Sequence, residues 1–95
     1  MAPIPPADLN HLRNKIPIDH LIAHALELPS KHREGFFRFL CPCCNEFNTA
    51  TNPKTNLARC FCCQRNFNTI DIVMLVRKCS FLQAVSFLRH APTQR

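Results

Sequence analysis

Apolar residues recur with helical spacing near the beginning of the chain. A first short helix is predicted by apolar residues that lie three and four positions apart: Leu9, Leu12 and Ile16. A second helix, starting at Pro17, is predicted by an i, i+3, i+4, i+7, i+8 pattern: Ile18, Leu21, Ile22, Ala25 and Leu26. Asp8 can cap the first helix. We therefore predict N-terminal helices over residues 8–28, after a flexible lead-in of residues 1–7.

The middle of the chain contains strand-like segments separated by polar residues. Residues 30–35 are polar and turn-like, whereas residues 36–40 (Phe-Phe-Arg-Phe-Leu) have the aromatic content of a β-strand. Residues 57–61 (Leu-Ala-Arg-Cys-Phe) are the second good strand candidate, and a weak strand is predicted around residues 48–51. Both good strands lead into a cluster of cysteines.

The last third of the chain predicts two helices. Asn68 can cap the first, with Asp71 bonding back to it, and this helix is apolar on most sides, so it should be buried on more than one side. Ser80 and Gln83 form the sequence pattern of a second capping box, followed by one apolar stripe. We predict these helices over residues 68–91.

Length and composition indicate one small domain that needs stabilisation beyond its hydrophobic core. A chain of 95 residues buries a limited core, and small domains often depend on a metal or on disulfides. The first residues contain no apolar signal core, and no apolar run is long enough to span a membrane. We therefore expect a cytoplasmic protein with no membrane contact, in which clustered cysteines are metal ligands.

The charge of the chain bears on its partner. The formal net charge is +6, and a zinc ion held by four thiolates would lower it by two. The domain remains basic, which favours a polyanion as partner. A surface kept soluble by excess charge explains the same number equally well.

Six cysteines form two clusters, and their spacing selects four of them as ligands. Cys41 and Cys44 are separated by two residues, as are Cys60 and Cys63, and fifteen residues lie between the two pairs. This is the spacing of a zinc ribbon. Four thiolates close the coordination shell, so one structural rather than catalytic Zn²⁺ is expected. Iron in the same cage is the alternative that spacing leaves open.

Three further thiols and two histidines have weaker patterns. Cys43 and Cys62 lie inside the knuckles and are interpreted as bystanders, with alternative ligands or redox-sensitive groups as rival interpretations. Cys79, at the end of a helix, is most simply a core residue. His20 and His24 lie one helical turn apart and could chelate a metal, but no third ligand is in view and they are expected to face water.

The segments around the cysteines resemble a known family over about residues 4–90. The matching segments are residues 18–22 (Ile-Asp-His-Leu-Ile), residues 40–46 (Leu-Cys-Pro-x-Cys-Asn-Glu), residues 59–63 (Arg-Cys-Phe-Cys-Cys) and residues 80–85 (Ser-Phe-x-Gln-Ala-Val). On these segments the chain resembles the N-terminal zinc-binding domain of bacterial DnaG-type primases. The combination is far more specific than the cysteine spacing alone.

The resemblance implies an α+β fold: a small zinc ribbon over residues 36–67 with an antiparallel β-sheet, flanked by short N-terminal and C-terminal helices. It also implies template reading by the sheet. This chain departs from the family pattern because Cys44 replaces a common His ligand, and because Cys62, Gln64 and Phe67 replace glycines at the second knuckle. Loss of these glycines predicts strain there. The loop between the knuckles is also about two residues shorter than in the family.

Side-chain alternation along the strands suggests what the sheet could bind. Phe36 and Arg38 point to one side of their strand, and Arg59 and Phe61 share one side of theirs. If both sides form one exposed surface, cations and rings together suit single-stranded nucleic acid. Other basic residues could extend the path of the backbone: Lys31, Arg33, Lys54 and Arg65. The rival interpretation is that the rings are core and the arginines lie at its edge.

The most consistent function is a stand-alone, zinc-dependent module that binds single-stranded DNA. It would act in DNA replication or primer synthesis, in trans with a separate primase polymerase domain or helicase, as would suit a plasmid, phage or other mobile element. The six acidic residues are scattered, so we expect no enzyme and no small-molecule substrate. The alternatives are a protein-interaction adaptor with the ribbon as scaffold, and a redox sensor or enzyme that uses Cys43 or Cys62.

Overall fold

The computed structural model describes residues 5–90, in which four α-helices, one π-helical turn and five strands form an α+β domain. The helical elements are α1 (Pro6–Asn14), α2 (Ile18–His20), the π-helical turn Leu21–Ala25, α3 (Thr69–Arg77) and α4 (Phe81–Arg89). The strands are β1 (Ser30–Arg33), β2 (Phe36–Phe39), β3 (Thr49–Asn52), β4 (Leu57–Cys60) and β5 (Arg65–Phe67). The predicted fold class, helices around a small antiparallel ribbon, is confirmed.

The start of α1 differs from the prediction. The helix begins at Pro6 after Pro5, and Asp8 lies inside the first turn instead of capping it. A proline at the first helical position has its φ already set for a helix and lacks an N–H that would otherwise be unsatisfied. Asp8 instead places a negative charge near the positive end of the helix dipole. Of the predicted lead-in, residues 1–4 lie outside the described residues, as does residue 91 of the predicted C-terminal helices.

The polar segment before the first aromatic strand is itself mostly a strand. β1 pairs antiparallel with β2, in a register that places Ser30 opposite Phe39 and Arg33 opposite Phe36. The turn between them consists of Glu34 (φ 55°) and Gly35 (φ 80°), as a two-residue hairpin with left-handed backbone requires. The prediction that residues 30–35 are only a turn was wrong, because all four residues of β1 are exposed and give no apolar signal.

The other three strands form an antiparallel sheet in the order β3-β4-β5. Thr49 lies opposite Cys60, and Ala58 lies opposite Phe67. The weak strand predicted around residues 48–51 is present as β3, and the strong one as β4. β5 was not predicted, since it has three residues, of which two are exposed.

A side chain joins the two sheets where no strand ladder does. The Thr49 hydroxyl accepts a hydrogen bond from the Phe39 N–H (2.8 Å) and donates one to the Phe39 carbonyl. The Arg38 guanidinium donates to the Thr49 carbonyl (3.0 Å). β2 is therefore fixed beside β3, and the five strands form one layer.

The core lies between the inner side of this layer and the helices. Alternation along each strand points Phe37 and Phe39 inwards and leaves Phe36 exposed. The helical side contributes buried hydrophobic side chains from all four α-helices, from the π-helical turn and from the link after α1: Leu12, Ile16, Ile18, Leu21, Ile22, Ile70, Ile72, Val73, Ala84, Val85 and Leu88.

Asn56 connects the ribbon to the N-terminal helices through three hydrogen bonds. Its Oδ1 accepts from the Ile18 N–H (2.9 Å), and its Nδ2 donates to the carbonyls of Arg13 (2.6 Å) and Ile16 (2.7 Å). Thr69 makes a similar connection from α3, because its hydroxyl donates to the Leu12 carbonyl (2.6 Å). These bonds satisfy backbone groups that the ends of short helices leave unpaired.

Both predicted capping boxes of the C-terminal helices are present. The Asn68 side chain accepts from the Asp71 N–H (2.8 Å), and the Asp71 carboxylate accepts from the Asn68 N–H (3.1 Å). Ser80 and Gln83 repeat the arrangement at α4. Within residues 5–90, no helix is long and apolar enough to cross a membrane.

Candidate metal centre and sheet groove

The first knuckle follows the end of β2. The Cys41 N–H donates to the Glu46 carbonyl (3.0 Å), and the Asn45 N–H donates to the Cys41 carbonyl (2.9 Å), so the chain turns tightly around the first two ligands. Asn45 has a left-handed backbone (φ 59°), a conformation that asparagine tolerates better than most residues. The turn brings Cys44 back to face the same space as Cys41.

The second knuckle is the turn between β4 and β5. Cys60 ends β4, and the Cys63 N–H donates to the Cys60 sulfur (3.3 Å). Of the three residues that replace family glycines, only Gln64 has a left-handed backbone (φ 57°), whereas Cys62 and Phe67 do not. The strain expected at this knuckle is therefore confined to Gln64.

Four sulfurs converge between the two knuckles. The Sγ atoms of Cys41, Cys44, Cys60 and Cys63 all lie within 4.8 Å of one another. The Cys41–Cys63 distance is 3.9 Å and the Cys44–Cys60 distance is 3.6 Å. A tetrahedron with Zn–S bonds of about 2.3 Å has edges of about 3.8 Å. The sulfurs therefore fit one zinc ion, which these four residues would hold as a closed, structural site.

Protons and a divalent cation compete for these thiols. Burial would raise the pKa of Cys60, but the Cys63 N–H and the neighbouring sulfurs stabilise its thiolate more, and they lower the pKa to about 7. Burial raises the pKa of Cys41, and the hydrogen bond to Cys60 raises that of Cys63. The protein alone therefore favours few thiolates in this space, and binding of a divalent cation displaces the remaining protons.

The other thiols do not join this group. Cys43 and Cys62 are exposed, and the Arg65 guanidinium lies 4.0 Å from the Cys43 sulfur. Cys79 is half-buried against the core, with its thiol 3.9 Å from the Val73 carbonyl. The spacing argument thus identified the four sulfurs that the fold brings together.

The two histidines are in contact with each other. The His20 and His24 ring centroids are 4.3 Å apart, with the rings tilted by 46°. His24 is exposed and His20 is half-buried. Among residues 5–90, the four converging cysteines are the one group of three or more potential metal ligands that lie close together. Within this part of the chain, the histidine pair therefore has no third ligand.

The outer side of the strand layer contains a groove of about 650 Å³. Phe36 is 51% exposed and Phe61 is 46% exposed, and both line the groove. The Arg38 guanidinium lies 5.9 Å from the centroid of the Phe36 ring, and the Arg59 guanidinium lies 5.7 Å from that of Phe61. Each exposed ring is therefore paired with a cation.

The remaining predicted binding residues occupy different places. Lys54 lines the groove, and Lys31 lies opposite Arg38 in the hairpin with its ammonium 4.6 Å from the Phe47 ring. Arg33 is exposed on the same hairpin. Arg65 projects from the opposite side of the sheet, because it pairs with the buried Cys60 and lies beside the first knuckle.

One groove residue was missed from the sequence. Asn66 lies opposite Arg59, accepts a hydrogen bond from its guanidinium (3.2 Å) and lines the groove. It was missed because β5 was missed. The pairing of Asn66 with Arg59 depends on the register that the second knuckle imposes, and no apolar pattern reports that register.

Two cysteine knuckles around one zinc site, carried by antiparallel strands, define a zinc ribbon. A family model described as the CHC2 zinc finger, the zinc ribbon of DnaG, matches residues 4–93. The chain therefore belongs to the CHC2 zinc finger family, as the resemblance implied. No curated protein matches the chain.

Proposed function

We propose that this zinc ribbon binds single-stranded DNA along the groove on its outer side. The observation that carries the proposal is that two exposed rings line one groove. Each ring has a guanidinium beside it: Arg38 beside Phe36, and Arg59, which also lines the groove, beside Phe61. Bases of any identity can stack on such rings, while guanidinium groups contact the phosphates. A single apolar residue exposed on a protein surface is ordinary and needs no cation beside it.

The charges around the groove are mainly basic: Lys54 and Arg59 line it together with one acidic residue, Asp19. Lys31 and Arg33 lie on β1, in the hairpin beside it. Asn66 holds the Arg59 side chain near the ring of Phe61, which lowers the entropy that Arg59 would lose on binding. Arg65 belongs to the other side of the sheet, so it lies outside the proposed surface.

The proposed role is binding, with no chemistry of its own. Four cysteines close the metal shell and leave no position for a reacting water. A ribbon of this family that holds a template strand would serve DNA replication or primer synthesis, working in trans with a polymerase domain or a helicase.

The test is a titration of zinc-loaded protein into labelled single-stranded DNA at two salt concentrations, followed by fluorescence anisotropy. The logarithm of the affinity should fall with the logarithm of salt concentration, by about 0.7 per phosphate contacted. Phe61→Ala should weaken binding about tenfold by removing one stacking ring. Arg59→Ala should weaken binding and also make the salt slope shallower.

Lys78→Gly is the matched control for charge. Lys78 has a left-handed backbone (φ 51°) at the end of α3, so glycine removes one positive charge there without strain. DNA affinity should change little in this variant. If Lys78→Gly weakens binding as much as Arg59→Ala does, or if neither groove variant weakens it, the groove is not the binding surface.

A further inference from the structure

Two of the exposed large hydrophobic side chains have no place in the groove. In the described part of the chain, four such side chains are exposed: Phe36, Phe61, Phe81 and Leu82. The first two line the groove, whereas Phe81 (38% exposed) and Leu82 (42% exposed) are consecutive residues at the start of α4. Neither contributes to nucleic-acid binding as proposed above.

Further apolar residues lie at the same end of this helical hairpin. α3 ends at Arg77 and α4 begins at Phe81, so a short link places the last turn of α3 beside the first turn of α4. Leu75, Val76 and Cys79 are only half-buried there. We name the resulting surface the apolar corner: Leu75, Val76, Cys79, Phe81 and Leu82.

The charge around the apolar corner has one sign. No acidic residue occurs between Ile72 and His90, whereas two basic residues, Arg77 and Lys78, lie in the chain between Val76 and Cys79. The ion pair found among residues 5–90 joins Arg89 to Asp8 (3.0 Å) and uses neither of these two cations. The Arg77 guanidinium lies over the ring of Phe87 (4.9 Å to the centroid), so its charge is held over the last turn of α4.

A second copy of the chain is a poor occupant for this surface. A two-fold dimer through the corner would bring Arg77 and Lys78 of each copy towards those of the other, and like charges at an interface cost affinity. The charge pattern instead complements a segment with an apolar stripe and an acidic flank.

We infer that the apolar corner docks an acidic amphipathic helix of a partner protein. Phe81 and Leu82 would insert between the apolar side chains of that helix, which recur at i, i+3, i+4 and i+7. Arg77 and Lys78 would face its Glu or Asp residues and speed its approach. This surface lies on α3, α4 and the link between them, whereas the residues that line the groove come from other elements.

The test uses the zinc-loaded chain and a labelled synthetic peptide of about five helical turns. The peptide carries Leu on one face and Glu on the others. One control peptide has the same composition in an order that destroys the apolar face, and a second replaces Glu by Lys. The amphipathic acidic peptide should bind, and both controls should bind at least about tenfold more weakly.

Protein variants locate the site. Leu82→Ser should weaken binding of the acidic peptide about tenfold, while the zinc content and the melting temperature stay close to those of the parent chain. Lys78→Glu should weaken it about fivefold at low salt and much less at high salt. Arg59→Ala, in the groove, should leave peptide affinity unchanged.

Several results would overturn the inference. It fails if the acidic peptide does not bind, if the scrambled peptide binds equally well, or if Leu82→Ser has no effect. Sedimentation that shows a dimer of the parent chain and a monomer of Leu82→Ser would assign the corner to a second copy instead. The DNA titration is independent, so loss of one activity does not imply loss of the other.

Discussion

Asn56 should be among the most costly side chains to remove outside the metal centre. It is 7% exposed and makes three hydrogen bonds, of 2.9, 2.6 and 2.7 Å, to backbone groups of the N-terminal helices. Its loss would leave the Ile18 N–H and the Ile16 carbonyl buried without partners. Each such group costs about 1–3 kcal/mol. We expect Asn56→Gly to lower the free energy of unfolding by about 3 kcal/mol.

The backbone of Asn56 permits a matched pair of variants. Its φ is 54°, a left-handed conformation that glycine adopts freely and alanine does not. Asn56→Ala should therefore cost about 1 kcal/mol more than Asn56→Gly. The difference in the free energy of unfolding between the two variants measures the cost of the left-handed backbone for alanine. The loss that both variants share measures the contribution of the hydrogen bonds.

The assay is urea unfolding of the zinc-loaded chain, followed by far-ultraviolet circular dichroism. Asn52→Ala is the control, because Asn52 lies in the same hairpin but is exposed and bonds only locally, to the Lys54 N–H. It should cost less than about 1 kcal/mol. If Asn56→Gly is as mild as Asn52→Ala, the three hydrogen bonds do not fix the ribbon to the helices.

Two further predictions concern the knuckles. Gln64→Gly should stabilise the zinc-loaded chain by about 0.5–1 kcal/mol, since it relieves the left-handed backbone at φ 57°; a lower melting temperature for this variant would contradict the reasoning. Cys44→His should retain one zinc per chain, because imidazole is also a tetrahedral zinc ligand, and Cys43→Ser should retain it as well. Cys60→Ser should lose most of the metal. If Cys43 were a ligand, metal analysis of the purified variants would show that Cys43→Ser loses the metal as well.

The metal site was predictable because its signal is local. Two residues between paired cysteines suffice to bring both sulfurs to one ion, whatever the rest of the chain does. The helices after Asn68 and Ser80 were predictable for the same reason, since each capping box lies within four consecutive residues. Aromatic strands such as β2 also carry their own pattern.

The remaining features depend on contacts between distant residues. β1 is a strand only because β2 pairs with it, and its side chains are all exposed. Thr49 and Asn56 lie in a polar stretch of the sequence, and their roles appear only when Phe39 and Ile18 are brought to them. The alternation that placed Arg38 and Arg59 on an outer face was a local inference, but the groove between their strands required the packing of β2 beside β3.

The ligand cysteines come from different sheets, and so do the walls of the groove. Cys41 follows β2, whereas Cys60 and Cys63 bracket the turn from β4 to β5. Phe36 belongs to β2 of the first sheet, and Phe61 directly follows the end of β4 in the second sheet. A bound ion would therefore act together with the hydrogen bonds at Thr49 to set how far apart the two exposed rings stand. Loss of zinc, or oxidation of the thiols that hold it, would then change the shape of the groove, and with it the proposed binding of DNA, without any change to a residue of the groove.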